Sequence, residues 1–313
     1  MKITEEDIIT IIEDSATLFE RQEGFAVKES PEDKEFQILI KKWSSVANLN
    51  NRSFNRILNW EGLYVNKLKD LSGHIAFTGK FLPSWALLLK DSIEYFLSYS
   101  MEDILKNEKR PDFADSLQPL PFEELFIPFV YFVSARLEKR TGKTWNLLSP
   151  PAQNKLRRTI FVSLSTISSQ PLYTEFSLLQ YKKTHGFSGL DMIMALAETA
   201  PAKEIYNEFI LSLHKGDFIE FLKNYSSLAR AIGITMDLWI ESLAEMLERL
   251  ERDLPEFREA FFCGIDAGTV TDIKPFLSDP HRNRRSVAEL TFSSDKKIMY
   301  KPKDNGIDKA FYS

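Results

Sequence analysis

The hydrophobic pattern of this chain changes period near Cys263, and the change limits the folds that the chain can adopt. From Thr235 to Phe261, apolar residues recur every three or four positions with charged residues between them. That pattern is typical of one long amphipathic helix, or of two helices bent at Pro255. After Cys263, glycine and proline become frequent, and apolar residues begin to alternate with polar ones as in a half-buried strand. The sequence therefore predicts a mainly helical chain that changes to β-structure near residue 263.

The β-structure is predicted to be an antiparallel hairpin within residues 286–302. Residues 288–292 alternate apolar and polar, residues 293–295 can form the turn, and residues 297–301 can return as the second strand. Earlier in the chain, one helix is predicted to begin after Thr4 and another after residue 84. Further helices are predicted at residues 31–43, 122–137 and 153–167. Two units are expected, a helical region at 1–262 and the loop and hairpin at 263–313.

Composition excludes several classes of protein. The chain has 313 residues, of which 43% are hydrophobic and 27% charged, as in an ordinary globular protein with a sizeable core. Its one cysteine excludes an intramolecular disulfide framework and a thiolate zinc cluster, and the neighbouring phenylalanines predict that Cys263 is a buried structural thiol. Because there is no signal region and no apolar stretch long enough to span a bilayer, we expect a cytoplasmic protein without a membrane span.

Positive charge is concentrated in one short segment. Residues 274–303 contain eight basic and three acidic side chains, a balance of +5 in a chain whose net charge is −5. A basic element on an acidic body predicts a locally bound anionic ligand and argues against a nucleic-acid-binding surface. The alternative is an exposed edge hairpin whose lysines only prevent aggregation.

Three residues of this segment are candidates for chemistry. Asp279 and His281 can orient a phosphate, hold a metal or transfer a proton, although the pattern alone favours a simple turn closed by the Asp279 side chain. Lys301, taken alone, fits a solvated strand lysine and a phosphate ligand equally well, and Pro302 would end its strand. The sequence contains no glycine-rich phosphate loop and no histidine pair at zinc-ligand spacing.

Taken together, residues 278–303 resemble the signature G-D-x-H-x-x-G-R-S-V … Y-K-P-R of the dehydratase domain of class II lanthipeptide (lantibiotic) synthetases. Other motifs of that family resemble residues 16–21, 82–85, 120–122, 225–230 (its Y-P-x-L-A-R) and 247–253 (its L-x-R-L-x-x-D). The resemblance extends over essentially the whole chain, and its specific part is the C-terminal signature.

The resemblance implies a fold and an activity. The family's dehydratase domain is similar to a lipid kinase with added helices. It uses ATP and Mg²⁺ to phosphorylate Ser and Thr of a leader-bearing precursor peptide, and it then eliminates the phosphate to leave dehydroamino acids. By this resemblance Asp279 and His281 are catalytic, Lys301, Arg285 and Ser286 bind the nucleotide, and no residue of the chain is assigned to a metal.

The chain departs from the family pattern in two ways. Ser278 and Arg284 stand where the signature has glycine, and Asn283 is a candidate to take the positive φ that arginine disfavours. The family's magnesium-binding, catalytic-loop and elimination residues, and its zinc-containing cyclase domain, come after the point reached at Ser313. We therefore expect an incomplete kinase-like lobe that is inactive alone, binds neither ATP nor Mg²⁺ tightly, and works with the remainder of a synthetase. The alternative is a stand-alone helical module that binds a peptide or protein in an apolar groove.

Overall fold

A computed structural model describes residues 2–46, 50–60, 62–106, 110–115, 117–185, 203–279 and 284–302. The α-helices of these residues are α1 (Glu5–Ser15), α2 (Glu20–Glu23), α3 (Asp33–Val46), α4 (Asn51–Trp60), α5 (Val65–Leu71), α6 (Ser84–Ser98), α7 (Met101–Leu105), α8 (Ile127–Thr141), α9 (Pro150–His185), α10 (Lys203–Ser212), α11 (Phe218–Asn224) and α12 (Ser226–Phe261). Two short 3₁₀ turns, Glu123–Leu125 and Gly142–Leu147, flank α8, and a π-turn, Leu213–Asp217, joins α10 to α11.

The strands form two small antiparallel sheets. In the first, β1 (Phe25–Glu29) pairs with β2 (His74–Phe77) across a register shift. In the second, β3 (Val270–Lys274), β4 (Ala288–Phe292) and β5 (Lys297–Tyr300) follow one another in that order, so that β5 is an edge strand. The turn between β4 and β5 is closed by a hydrogen bond from the Phe292 N–H to the Lys296 carbonyl (2.8 Å), and Asp295 takes a φ of 60° there.

The local sequence explains where α1 begins and how it packs. The Thr4 side chain accepts the Asp7 N–H at 3.1 Å, while the Asp7 carboxylate accepts the Thr4 N–H at 2.9 Å, which is a capping box. Ile8, Ile11 and Ile12 follow on one face and are fully buried against the rest of the helical body. This reciprocal cap confirms the predicted start of the first helix.

One hydrophobic core runs from Ile3 to Phe292 and includes the inner face of the second sheet. On β4 the burial alternates, so that Ala288, Leu290 and Phe292 face this core and the residues between them face outward. The backbone N–H of Ser149, at the start of α9, donates to the Val270 carbonyl at 2.9 Å and attaches the sheet to the helices. A smaller separate core joins α3, α4 and α5. No helix within the described ranges has both the length and the apolarity needed to cross a membrane.

The prediction of a mainly helical fold is confirmed, and so is the hairpin within residues 286–302. The sheet also contains β3, and the helical region contains the β1–β2 pair, neither of which was predicted. Helix α12 begins earlier than predicted, at Ser226, and continues through Pro255 to Phe261. The predicted kinase-like lobe and the boundary near residue 262 stay predictions.

The prediction of a buried thiol at Cys263 was wrong, because Cys263 is exposed. Cys263 directly follows the last residues of α12 and takes a left-handed φ of 54°. Its neighbour Phe262 is the residue that turns into the core, where its ring packs against Phe292. Sequence adjacency to buried phenylalanine therefore does not bury the cysteine, since the chain reverses direction at this point.

Candidate functional site

On the outer face of the three-stranded sheet, two lysines share one carboxylate. Glu289 on β4 accepts hydrogen bonds from Lys274 on β3 at 2.9 Å and from Lys297 on β5 at 3.3 Å. These two hydrogen bonds lower the pKa of Glu289. Such cross-strand pairs stabilise the sheet, and each of the two lysines has a carboxylate partner within the sheet.

A pocket of about 260 Å³ lies between the edge strand β5 and one face of α12, and we call it the strand-end pocket. The helix contributes residues at three- and four-residue spacing, which places them on the same side. Its walls are formed by Met246, Arg249, Leu250, Arg252, Asp253 and Phe257 of α12, Leu290 of β4, and Ile298, Met299, Tyr300 and Lys301 at the end of β5. The volume approaches the lower end of the usual range for small-molecule sites.

Positive charge exceeds negative charge around this pocket. Arg252 is paired with Asp253, with a 2.7 Å contact between Nε and Oδ1. Glu245 takes ion pairs from both Arg249 and Arg285. Lys301 is exposed and has no ion pair with any residue that the structure describes. Of the side chains that line the pocket, three are cationic (Arg249, Arg252 and Lys301) and one is anionic (Asp253), a balance of +2 that favours an anionic ligand.

Tyr300 has a buried hydroxyl in an unusual position. Its side chain lines the strand-end pocket, and Cζ of Arg249 lies 6.0 Å from the centre of its ring. Within the described part of the chain the hydroxyl has no hydrogen-bond partner. Burial raises the pKa of Tyr300, so the hydroxyl stays protonated and can donate. A buried polar group without a hydrogen-bond partner costs about 1–3 kcal/mol of folding free energy, and most buried polar groups in native proteins have a partner.

A second cavity, the loop cavity, lies between the same sheet and helices α9 and α12. It is lined by Trp239, Met246, Arg284, Ser286 and Tyr300, among others, and its walls are mostly apolar. Its volume of about 40 Å³ has room for only a few water molecules. Of these two cavities, only the strand-end pocket can admit a group as large as a diphosphate.

The loop before β4 explains the two departures from the family signature. The Ser278 hydroxyl accepts the Val287 N–H at 3.1 Å, and the Leu277 N–H donates to the Val287 carbonyl at 2.9 Å. Ser278 therefore closes the loop with a side-chain bond that glycine cannot make. Arg284 itself takes a left-handed φ of 64°, the conformation for which glycine is favoured, and burial lowers the pKa of its guanidinium. Asn283, the other candidate for this conformation, lies outside the described residues.

The structure places the predicted site residues at different points. Lys301 lines the strand-end pocket, Ser286 lines the loop cavity, and Arg285 lines the loop cavity while its guanidinium pairs with Glu245. Asp279 is exposed, lines neither cavity, and its carboxylate makes no hydrogen bond to a described residue. The alternative turn closed by the Asp279 side chain needs residues 280–281, which lie outside the described residues, so it stays a prediction. His281 lies outside the described residues, so its position relative to Lys301 stays a prediction.

Sequence reasoning did not select Arg249, Glu245 or Tyr300 as site residues. Arg249 and Asp253 both belong to residues 247–253, the stretch that resembles the family's L-x-R-L-x-x-D, and both line the pocket with Lys301. That motif was the available signal, but on a helix its arginine could not be distinguished from one on a solvated face. Tyr300 adjoins Lys301 in the signature, yet alternation along a strand predicts that neighbours face opposite sides.

Three further motifs, at residues 16–21, 82–85 and 225–230, lie together at a place that we call the helix junction. Arg230 of α12 makes two hydrogen bonds to the Glu20 carboxylate, at 2.6 and 2.7 Å, and its guanidinium lies 5.5 Å from the Trp85 ring. The Ser84 hydroxyl donates to Asp237 at 2.7 Å. The residues that resemble family motifs at 16–21, 82–85 and 225–230 are therefore in mutual contact, and their polar groups are paired.

The sequence family described as "Domain of unknown function (DUF4135)" matches residues 225–313. The match begins at Tyr225, directly before α12, and it includes the sheet and most residues of both cavities. It covers less than a third of the chain. No curated protein matches this chain.

Proposed function

We propose that this chain forms the N-terminal, mainly helical part of a class II lanthipeptide synthetase dehydratase domain and carries the phosphate-binding lysine of its kinase-like lobe. In this proposal the complete enzyme phosphorylates Ser and Thr of a leader-bearing precursor peptide with ATP and then eliminates the phosphate. The supporting observation is Lys301, which lies at the end of an edge strand, has no ion pair with a described residue, and lines a pocket together with Arg249. A strand lysine that neutralises nucleotide phosphates is a standard part of kinase-like sites.

The residues present fit the phosphates of ATP better than they fit its metal. The balance of +2 among the side chains that line the strand-end pocket suits a phosphoryl group. Within the described ranges, no group of three or more His, Cys, Asp and Glu side chains is arranged to hold Mg²⁺. When bound, Mg²⁺ supplies charge neutralisation between the phosphates, and by the resemblance its ligands come from the residues that follow this segment.

The chain's own contribution is therefore to bind and orient. Lys301 holds a phosphate oxygen by charge and hydrogen bonding, and α12 supplies the opposite wall of its pocket. Asp279 and His281 are proposed to act near the transferred phosphate, and Arg285 and Ser286 to hold the loop beside the nucleotide. Arg285 is suited to positioning that loop, because its ion pair with Glu245 attaches the loop to α12.

The proposal is tested by incubation with ATP, Mg²⁺ and leader-bearing precursor peptides, followed by mass spectrometry of the peptide. This chain alone should add no phosphate and remove no water, whereas the chain extended by the reading frame after Ser313 should do both. Peptide phosphorylation by this chain alone would contradict the proposal that this chain only binds and orients the phosphates. An extended chain that binds peptide but never consumes ATP would favour the helical binding module instead.

A further inference from the structure

Helix α4 packs on the small core with one side and exposes another side to solvent. The Asn50 side chain accepts the Ser53 N–H at 2.9 Å and caps the start of the helix. Phe54 and Leu58 then face the core that α4 shares with α3 and α5. Four exposed residues lie together on the other side at three- and four-residue spacing, and we call them the α4 face: Arg52, Arg56, Ile57 and Trp60.

The α4 face contains an exposed tryptophan. Trp60 is 70% exposed, whereas Trp85, Trp145 and Trp239 are buried. The guanidinium of Arg56, one turn earlier, lies 4.8 Å from the centre of the Trp60 ring and orders the indole at the surface. Tryptophan and arginine are among the residue types most enriched at the centres of protein interfaces. The indole is therefore suited to act as an anchor for a partner.

The charges around the α4 face indicate the chemistry of that partner. Residues 33–71 contain seven basic and four acidic side chains, a balance of +3, whereas the remainder of the chain carries −8. Arg52 and Arg56 are exposed and have no ion pair with a residue that the structure describes. A complementary partner has carboxylates around an apolar group, since opposite charges favour association.

We propose that the α4 face docks an acidic, amphipathic peptide segment. Its apolar side chains cover Ile57 and Trp60, and its carboxylates pair with Arg52 and Arg56. Nucleic acids and anionic bilayers are extended polyanions, so the acidic remainder of the chain repels them. Two apolar side chains on a ten-residue helix also offer little area for adsorption to a bilayer. A short segment contacts the α4 face without approaching the acidic remainder.

The experiment is a calorimetric titration of this chain with a synthetic helical peptide of Glu, Ala and Leu whose leucines fall on one side. A second peptide with Lys in place of every Glu is the matched probe. The acidic peptide should bind saturably and more weakly as salt is added. The lysine peptide should bind at least about tenfold more weakly than the acidic one.

Variants of the α4 face locate the binding. Trp60→Ala should weaken binding of the acidic peptide by about tenfold or more, and Arg56→Gln by about two- to tenfold. Because both side chains are exposed, the melting temperatures should stay within about 2 °C of the wild type. Phe261→Ala is the matched control, because Phe261 is 68% exposed at the end of another helix. It should change binding by less than about twofold.

Reversal of charge keeps the test valid if Trp60→Ala fails to fold. The double variant Arg52→Glu with Arg56→Glu retains the indole, and it should bind the lysine peptide more tightly than the acidic one. An unchanged preference in the double variant, or equal binding of the two peptides by the wild type, overturns the inference.

Three further results would overturn it. They are no saturable binding of the acidic peptide below about 1 mM, wild-type affinity in a folded Trp60→Ala variant, and tighter binding of phosphatidylglycerol vesicles or a single-stranded oligonucleotide than of the acidic peptide. The inference does not depend on the proposed function, which is tested by peptide phosphorylation in the complete enzyme. Each can therefore fail while the other stands.

Discussion

Two arginines of helix α12, Arg230 and Arg249, differ in how they are paired with carboxylates. Near its start, Arg230 has a carboxylate of its own in Glu20 and lies over the Trp85 ring. About five turns later, Arg249 shares Glu245 with Arg285, and the neighbouring Lys301 has no ion pair with a described residue. The contacts of Arg230 with Glu20 and Trp85 pair all the charged groups involved, and such a network holds helices together. A surplus of cationic side chains, as among those that line the strand-end pocket, favours the binding of an anion.

Apart from residues 120–122, the family-like motifs fall into two groups. Those at residues 16–21, 82–85 and 225–230 meet at the helix junction, where they bring α1, α2, α6 and α12 together. Those at 247–253 and 278–303 contribute to the strand-end pocket and the loop beside it. We therefore expect changes at the junction to alter stability, and changes at the pocket to alter binding and catalysis.

The largest effect on stability is expected at Gly233, where α12 packs on Trp85. A Cβ at this position would lie 2.7 Å from the Trp85 carbonyl oxygen and 2.9 Å from its ring. The gain in helix propensity from Gly233→Ala is at most about 1 kcal/mol, whereas forcing apart two packed helices costs roughly 1–3 kcal/mol or more. The variant should lower the free energy of unfolding by about 2 kcal/mol in urea denaturation.

Gly24→Ala is the matched control for that variant. A Cβ at Gly24 meets the Glu20 carbonyl oxygen at 3.6 Å, which is an ordinary contact. Its free energy of unfolding should stay within about 0.5 kcal/mol of the wild type. Equal stability of the two variants would show that α6 and α12 are not locked together at the junction.

A smaller effect is expected when Glu20 is replaced by Gln. Burial raises the pKa of Glu20, but hydrogen bonds from Arg230 and Thr17 outweigh it and lower the pKa from its ordinary 4.5 to about 2. Because the Glu20 side chain is 41% exposed, solvent screening limits the loss in Glu20→Gln to about 1 kcal/mol at pH 7.

The same pair predicts a pH dependence. A carboxylate with a lowered folded-state pKa stabilises the fold above its ordinary pKa, and this contribution is lost as the pH falls through the folded value. The stability difference between wild type and Glu20→Gln should therefore be constant above pH 4.5 and shrink between pH 4.5 and about 2. Urea midpoints measured at several pH values check this, and a difference that grows on acidification would contradict the pairing.

The smallest effect on stability is expected in the loop beside the pocket. Arg284 has a φ of 64°, a conformation that costs any residue with a Cβ about 1 kcal/mol. Arg284→Gly should therefore be more stable than Arg284→Ala by about 1 kcal/mol, since both variants lose the arginine side chain and only glycine relieves the backbone. Equal stability of the two variants in thermal melting would remove the physical reason for the glycine of the signature.

Much of the fold could be predicted because its pattern is local. The hairpin was predicted because Ala288, Leu290 and Phe292 alternate strictly and the turn residues tolerate a positive φ. The β3 strand was missed because its register shifts between Val270 and Asp272, so that buried Val270 and Ile273 are three residues apart, a helical spacing. The β1–β2 pair was missed because three helices separate its strands in sequence, and no local pattern reports such pairing.

The site could be predicted only in part for a similar reason. The pattern alone fitted Lys301 to a solvated lysine and to a phosphate ligand equally well, and only the resemblance to the family signature favoured the second. The importance of Arg249 depends on how α12 lies against β5, and that contact is decided by packing of the whole core.

The central claim, that the strand-end pocket and not the lysine-rich face of the sheet carries the phosphate chemistry, is tested most directly by two lysine variants on one strand. Lys301→Met and Lys297→Met each remove one charge and keep the aliphatic stem, but Lys297 is already paired with Glu289. In the complete enzyme, Lys301→Met should lower the rate of peptide phosphorylation by roughly ten- to a hundredfold. Lys297→Met should leave the rate within about twofold of the wild type. Wild-type rates for Lys301→Met, with a normal circular dichroism spectrum, would contradict the account.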